Sequence, residues 1–256
     1  MGDVDLERAA ADLGQYRAGF PDQLFERLAA VEIGLPSQRV LDVGTGTGAL
    51  ARAFARRGCA VVGLDPSEEL LEEARRISQR HEHQIEYVIG TAERTGLDTH
   101  TFDVVSAGQC WHWVDRLAAL REVKRVLRPG GYLVFANFDW IPLPSNAVEA
   151  TEKLIESYNP EWTLGGGNGL HPEWLREVRS GGFNHIQTFS FDAEVSYAHK
   201  AWRARVRASA GVRKSLAAGK LDRFDETLRR TLTERFPTEP IRLLHCCWAL
   251  HCRAPQ

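Results

Sequence analysis

Three carboxylates and three glycines stand where a nucleotide-like ligand can be held. The stretch Asp42-Val43-Gly44-Thr45-Gly46-Thr47-Gly48 joins an apolar run, Val40-Leu41, to a helix-like segment that begins at Ala49. Glycine at alternate positions permits backbone angles closed to residues with a Cβ, and lets the main chain approach a ligand closely. The N–H groups at the start of the following helix then point at that ligand. Asp65 ends a second apolar run, Ala60-Val61-Val62-Gly63-Leu64. A carboxylate there accepts hydrogen bonds from a diol and donates none. Gly44-x-Gly46-x-x-Ala49, with Asp65 about 20 residues downstream, also satisfies the relaxed dinucleotide fingerprint, so the loop alone does not choose its ligand.

The elements that must carry these groups alternate. Apolar runs at 39–43, 60–64, 85–89, 102–107 and 132–138 read as strands. Between them lie helical segments at 48–57, from Ser67 onward, and at 117–127. Ser67 is a suitable N-cap, and Glu68 and Glu69 suit the first turn. Strands alternating with helices give a parallel sheet covered on both faces. Two helices, 3–15 and 22–33, precede the first strand. After residue 138 the alternation breaks into a helix at 145–158, a glycine loop at 165–169 and a helix at 171–180. A strand at 184–192 follows, then helices over 196–236 carrying 11 Lys or Arg against 4 Asp or Glu, and a last strand at 241–252. The expected organisation is one domain over residues 1–256. Its core covers about 36–138, 183–192 and 240–253; helical cap insertions cover about 139–182 and 193–238; N-terminal lid helices cover 1–35.

Composition narrows the field. A chain of 256 residues with 43% hydrophobic content can bury a full α/β core, and a net charge of −2 provides no global basic field for nucleic acid. Seven Trp suit an apolar ligand pocket. The five cysteines, Cys59, Cys110, Cys246, Cys247 and Cys252, are odd in number and contain no CxxC pair, which points to a reducing cytoplasm rather than a disulfide framework or zinc knuckle. Residues 1–8 are acidic without an apolar signal core, and no apolar run approaches membrane-spanning length. His245, Cys247 and His251 alternate along the last strand, but period-two spacing is what any strand gives, and no metal site is expected.

Two further stations follow the glycine loop. Gly90-Thr91-Ala92-Glu93 comes after the third strand, and Leu127-Arg128-Pro129-Gly130-Gly131-Tyr132-Leu133 precedes the strongly apolar fifth. With Asp42 just before the first glycine, the joint pattern resembles the class I S-adenosylmethionine-dependent methyltransferases, in particular the small-molecule group (methyltransferase type 11). The resemblance is good over residues 15–138 or so and loose beyond. It implies a Rossmann-like, doubly wound, seven-stranded sheet whose last strand lies antiparallel between the fifth and sixth, with helical cap insertions. It also implies S-adenosyl-L-methionine as cofactor and S-adenosyl-L-homocysteine as product. By the same resemblance Gly44, Gly46 and Gly48 admit the methionine and ribose. Asp42 orients the turn and attracts the ammonium group through water, and Asp65 accepts the ribose diol. Ala92 and Glu93 serve the adenine, with Pro66 flanking it, and the backbone at Ala107 and Gln109 takes the ammonium. Arg17, in the Tyr16–Pro21 segment that resembles a closing lid, pairs with the methionine carboxylate; its alternative is a surface position in a loop.

The fourth strand ends in Ala107-Gly108-Gln109-Cys110-Trp111-His112-Trp113. Trp111 and Trp113 are candidates to face a sulfonium by cation–π attraction and to exclude water from it. His112 is the candidate general base toward a hydroxyl or amine, since its reference pKa lies near neutrality. The alternative is that this run packs the start of the next helix. In-line methyl transfer needs mainly positioning, worth about 7–11 kcal/mol, and a carboxylate acceptor needs no base. Trp202, Arg203, Arg205, Arg207 and Arg213 lie in the cap; Arg203 and Arg207 share a helix face, which is either a solvated surface or, with Trp202, an anion site for an acidic substrate.

The function expected is therefore methyl transfer from S-adenosylmethionine to a small-molecule acceptor, with O-methylation favoured. The protein is expected to be a cytoplasmic monomer or homodimer with no membrane or nucleic-acid partner. The alternatives are a tRNA or protein methyltransferase using the basic cap, a non-catalytic S-adenosylmethionine-binding protein, and a nicotinamide dehydrogenase. Asp42, Glu93 and the Pro129-Gly130-Gly131 turn argue against the last.

Overall fold

The structure, a computed structural model, describes residues 14–81, 84–209, 212 and 218–256. Most of the helix expected at 3–15 lies outside the described residues, as does Arg213.

The chain runs through helix α1 (Asp22–Ala29), strand β1 (Arg39–Val43), α2 (Ala49–Ala55), β2 (Ala60–Asp65), α3 (Glu68–Arg80), β3 (Ile85–Ile89) and β4 (Phe102–Gly108). A single 3-10 turn (Trp111–Trp113) leads into α4 (Arg116–Val126), β5 (Leu127–Trp140), α5 (Ala147–Tyr158) and α6 (Glu173–Ser180). Then come β6 (Asn184–Tyr197), α7 (His199–Arg207), α8 (Ala218–Arg235) and β7 (Ile241–Arg253). β1 and β2 bury every residue after their first, as strands covered on both faces must. Three helices start on side-chain caps: Ser67 Oγ accepts from Leu70 N at 3.3 Å, Asp115 Oδ1 from Ala118 N at 3.1 Å, and Asn146 Oδ1 from Glu149 N at 2.8 Å.

One seven-stranded sheet has the order β3-β2-β1-β4-β5-β7-β6, parallel except for β7. Connections leave β1 in one direction toward β2 and β3, and in the other toward β4 and β5. The crevice of a doubly wound sheet opens where the order reverses, beyond the carboxyl ends of β1 and β4. Register places Asp42 opposite Gly63 on one side and Ser106 on the other.

Two strands exceed their expected lengths. β5 begins at Leu127, which pairs with Phe102, and the register shifts before Tyr132 pairs with Val104. Pro129-Gly130-Gly131 is thus an irregularity inside the strand rather than a helix stop ahead of it. Gly130 takes φ +71°, and a Cβ on Gly131 would lie 2.9 Å from the Arg128 carbonyl oxygen. β6 continues five residues past Asp192, because its alternation runs on through Ala193, Val195 and Tyr197 with Asp192 and Glu194 as the intervening residues.

The chain divides into two compact units. One comprises Gly19–Phe138, His171–Phe191 and Cys247–Gln256; the other comprises residues up to Ala18, Asp139–Leu170 and Asp192–Cys246. In the first, Leu41, Val43, Val105, Phe135, Trp174 and Trp248 belong to one apolar core. Helix α6, which the sequence reading assigns to the cover, contributes Trp174 and Val178 to that core. In the second unit, Trp202, Phe224, Leu228 and Tyr197 form a separate core with Val148 and Ile155 of α5.

Candidate functional site

The glycine loop lies in the first unit, between β1 and α2. Asp42 anchors it from below: its Oδ2 accepts from Thr45 Oγ1 at 2.6 Å and its Oδ1 from Ser106 Oγ at 2.8 Å. The carboxylate is 1% exposed, and burial pushes its pKa up to about 6 against the pull of the two hydroxyls. Asp65 braces the loop from β2. Its Oδ2 accepts from Gly46 N at 2.8 Å and its Oδ1 from Ser67 N at 3.0 Å, while burial raises its pKa. Thr45 N also donates to Leu64 O at 3.0 Å.

The three glycines have different duties. All adopt positive φ. A Cβ on Gly44 would strike Cys110 Cβ at 2.6 Å, and one on Gly48 would strike the Tyr87 hydroxyl. Space beside these two is already filled by protein, so their smallness serves packing. A Cβ on Gly46 would meet nothing within 4 Å. Gly46 is thus the glycine whose exposed backbone borders open space, next to a buried carboxylate at the strand ends. That is a cradle for a ligand with a diol, and the residues present fit an adenosyl group.

The end of β4 closes onto β5. Gln109 takes φ +53°, unusual for a residue with a side chain, and is held there by N to Ala136 O at 3.0 Å and Nε2 to Phe138 O at 2.7 Å. Cys110 Sγ donates to Val43 O at 3.2 Å, tying β4 to β1 across the crevice. Phe20 lies beside Gly108, 3.4 Å from where a Cβ would stand. Ala107 and Ala92 are both buried within the core, and Pro66 follows Asp65 directly. Glu93 Oε1 accepts from Asp115 N at 2.8 Å, so its carboxylate braces the start of α4 in this structure.

The aromatic run separates. Trp111 is fully buried, its ring 4.3 Å from Phe135 and its Nε1 3.3 Å from Glu177 Oε2, whereas Trp113 is 54% exposed. The expectation that Trp111 lines the reaction centre is corrected: its indole belongs to the core. His112 is half-buried, its ring 4.7 Å from that of Trp113.

The cap candidates lie in the second unit, and there too the structure corrects the sequence reading. Trp202 is fully buried and its Nε1 donates to Thr151 Oγ1 at 3.0 Å, so it supports a core and not a substrate. Arg203 and Arg207 converge on one carboxylate, Asp225. Arg203 binds it with two nitrogens, and Arg207 Nη1 donates to Oδ1 at 2.7 Å. They hold α7 to α8, and are neither a solvated face nor an open anion site. Arg17 belongs to this unit, with its charge acting on Tyr197.

Sequence reasoning missed Thr45 and Ser106, the partners of Asp42. A signal existed: Ser106 is a polar residue inside an apolar strand, at the position that faces an acid when β1 and β4 pair.

Strand order, register and the cradle at the switch point define a class: an α/β protein with the doubly wound, seven-stranded fold in which the last strand is antiparallel. Residues 41–135 match the methyltransferase domain family. An uncharacterized methyltransferase of Mycobacterium bovis is 41% identical over 133 residues, 51% of this chain and 51% of the relative. A ubiquinone biosynthesis O-methyltransferase of Vibrio cholerae is 36% identical over 148 residues, 57% of this chain and 60% of that relative. The chain spans about half the length of the first of these curated relatives. Among solved structures, phosphoethanolamine N-methyltransferase 2 of Haemonchus contortus, in complex with S-adenosyl-L-methionine, superposes with a TM-score of 0.58. It is 18% identical, with 100% of this chain and 58% of that chain covered. Over residues 41–135 the chain is thus similar to methyltransferase domains. No helix among the described residues is long and apolar enough to cross a membrane.

Proposed function

We propose that this protein transfers a methyl group from S-adenosylmethionine to a small-molecule acceptor, with oxygen as the favoured acceptor atom. The observation that carries the reading is the open side of Gly46 beside buried Asp65, at the point where strand order reverses. When bound, S-adenosylmethionine supplies a methyl group on a sulfonium, already activated for in-line displacement. The chain's part is to bind and to exclude water. Asp65 accepts the ribose diol and Gly46 borders the ribose and methionine. Ala92, Glu93 and Pro66 serve the adenine; Ala107 and Gln109 serve the methionine end. Gly44, Gly48 and Asp42 keep the loop in shape. His112, half-buried after the strained end of β4, takes the proton of a hydroxyl acceptor. Trp113 presents an exposed aromatic face beside it. The O-methyl preference is supported by the name of the Vibrio relative and by the suitability of imidazole as a base for a hydroxyl.

The test is calorimetric titration of the full chain with S-adenosylmethionine, S-adenosylhomocysteine and NADH. The first two bind and NADH does not. Asp65→Ala weakens S-adenosylhomocysteine by about tenfold or more, as expected for loss of a charge-assisted acceptor. Binding of NADH alone would replace this reading with a dinucleotide site.

A further inference from the structure

One cation in the second unit is set apart from its neighbours. On helix α7, Arg203 and Arg207 spend their guanidiniums on Asp225. Arg205 sits between them in sequence and points away from that pair. Its guanidinium lies over the Trp140 ring, with Cζ 4.9 Å from the centroid. Tyr197 and Asp139 are close enough to act on its charge, yet no carboxylate among the described residues forms an ion pair with Arg205, and it donates no hydrogen bond to a described residue. Trp140 beneath it heads a chain of packed rings. Trp140 packs 5.0 Å from Trp202, Trp202 lies 5.2 Å from Tyr197, and Tyr197 stacks 6.1 Å from His245.

An arginine that spends its guanidinium face on an indole and its N–H edge on no described acceptor has a fork left for a ligand. Burial works against its charge, as it does against that of His245, whose pKa falls to about 4, so the imidazole beside Tyr197 is neutral. The fork matches a carboxylate in two parallel hydrogen bonds. Asp139 nearby disfavours a doubly charged phosphate. We propose that Arg205 is the anchor for a carboxylate on a small aromatic ligand held against Trp140 and Tyr197 in the second unit. The anion site stands on the second unit alone and does not rest on the methyltransferase reading.

The experiment uses the full chain, titrated calorimetrically with benzoate, with its neutral isostere benzamide and with inorganic phosphate, each with and without S-adenosylhomocysteine. Wild type binds benzoate about tenfold or more tightly than benzamide, and phosphate more weakly than benzoate. Arg205→Met removes about tenfold or more of the benzoate affinity and leaves S-adenosylhomocysteine binding within about twofold. Should that variant fail to fold, Arg205→Lys carries the test: it keeps the charge, loses the fork and weakens benzoate severalfold. Equal binding of benzoate and benzamide, phosphate binding tighter than benzoate, or unchanged benzoate affinity in Arg205→Lys overturns the assignment. Arg205-dependent benzoate binding without any S-adenosylhomocysteine binding upholds the anion site and sinks the methyltransferase reading alone.

Discussion

Asp42 offers a quantitative test of how the glycine loop is held. Its carboxyl is almost fully buried and accepts from Thr45 and Ser106, and its pKa stands at about 6 against 3.8 for an ordinary aspartate. A carboxyl whose pKa is raised on folding favours the folded state in its protonated form. That contribution is fully present below pH 3.8 or so and is lost as pH rises through about 6. The whole swing is about 2.2 pH units at about 1.36 kcal/mol each, or about 3 kcal/mol. Between pH 5 and pH 7.5 the loss is about 1.4 kcal/mol. In a chain of this size that is about 3–6 °C in Tm. Asp42→Asn keeps an acceptor for one hydroxyl and a donor for the other, and removes the titration. The assay is urea denaturation and thermal melting of wild type and Asp42→Asn, without cofactor, across that pH range. Titrations shared by both proteins cancel in the difference. Wild type is expected to lose about 1.4 kcal/mol relative to the variant as pH rises from 5 to 7.5. Parallel curves for the two proteins would refute the reasoning, for they would mean that the Asp42 charge costs the folded loop nothing.

Three other outcomes are expected. His112→Ala lowers turnover on a hydroxyl acceptor about 100-fold while S-adenosylhomocysteine affinity stays within about twofold, measured by product formation and calorimetry; equal turnover would leave His112 as packing. Asp225→Asn removes the shared partner of Arg203 and Arg207, and lowers unfolding free energy by about 1–2 kcal/mol in urea without changing cofactor affinity. Gly46→Ala costs about 1–2 kcal/mol of backbone strain at its positive φ and weakens S-adenosylhomocysteine. Gly48→Ala costs more stability than Gly46→Ala in the same melts, because the added Cβ collides with the Tyr87 hydroxyl.

The fold was legible where periodicity is local. β1, β2, β3 and β4 fall within a residue of expectation, because each is a short apolar run closed by a glycine or an acid. The two strands misjudged in length show the limit. In β5 a proline and two glycines read as punctuation, although the backbone passes through them as an irregularity in the ladder. In β6 the expected strand ends at Asp192, although on a half-solvated strand that acid is simply an outward residue. The glycine loop was readable as a loop, but the duty of each glycine was not. Whether a missing side chain makes room for a ligand or for Cys110 and Tyr87 depends on what another strand brings across. The same holds for Trp111 and for Arg203. Residue type announced aromatic and cationic chemistry, while the partners that consume it, Phe135 and Asp225, lie tens of residues away in sequence.

The bond from Gly46 N–H to Asp65 has a consequence for binding. The loop is preorganised, so a ligand entering the cradle is spared part of the entropic penalty of ordering it, about 1–2 kcal/mol for each residue that would otherwise need fixing. A ligand hydroxyl that claims the same carboxylate oxygen must compete with that amide. The measured affinity then reports an exchange of one acceptor bond for another, with a smaller enthalpy than two new hydrogen bonds would suggest.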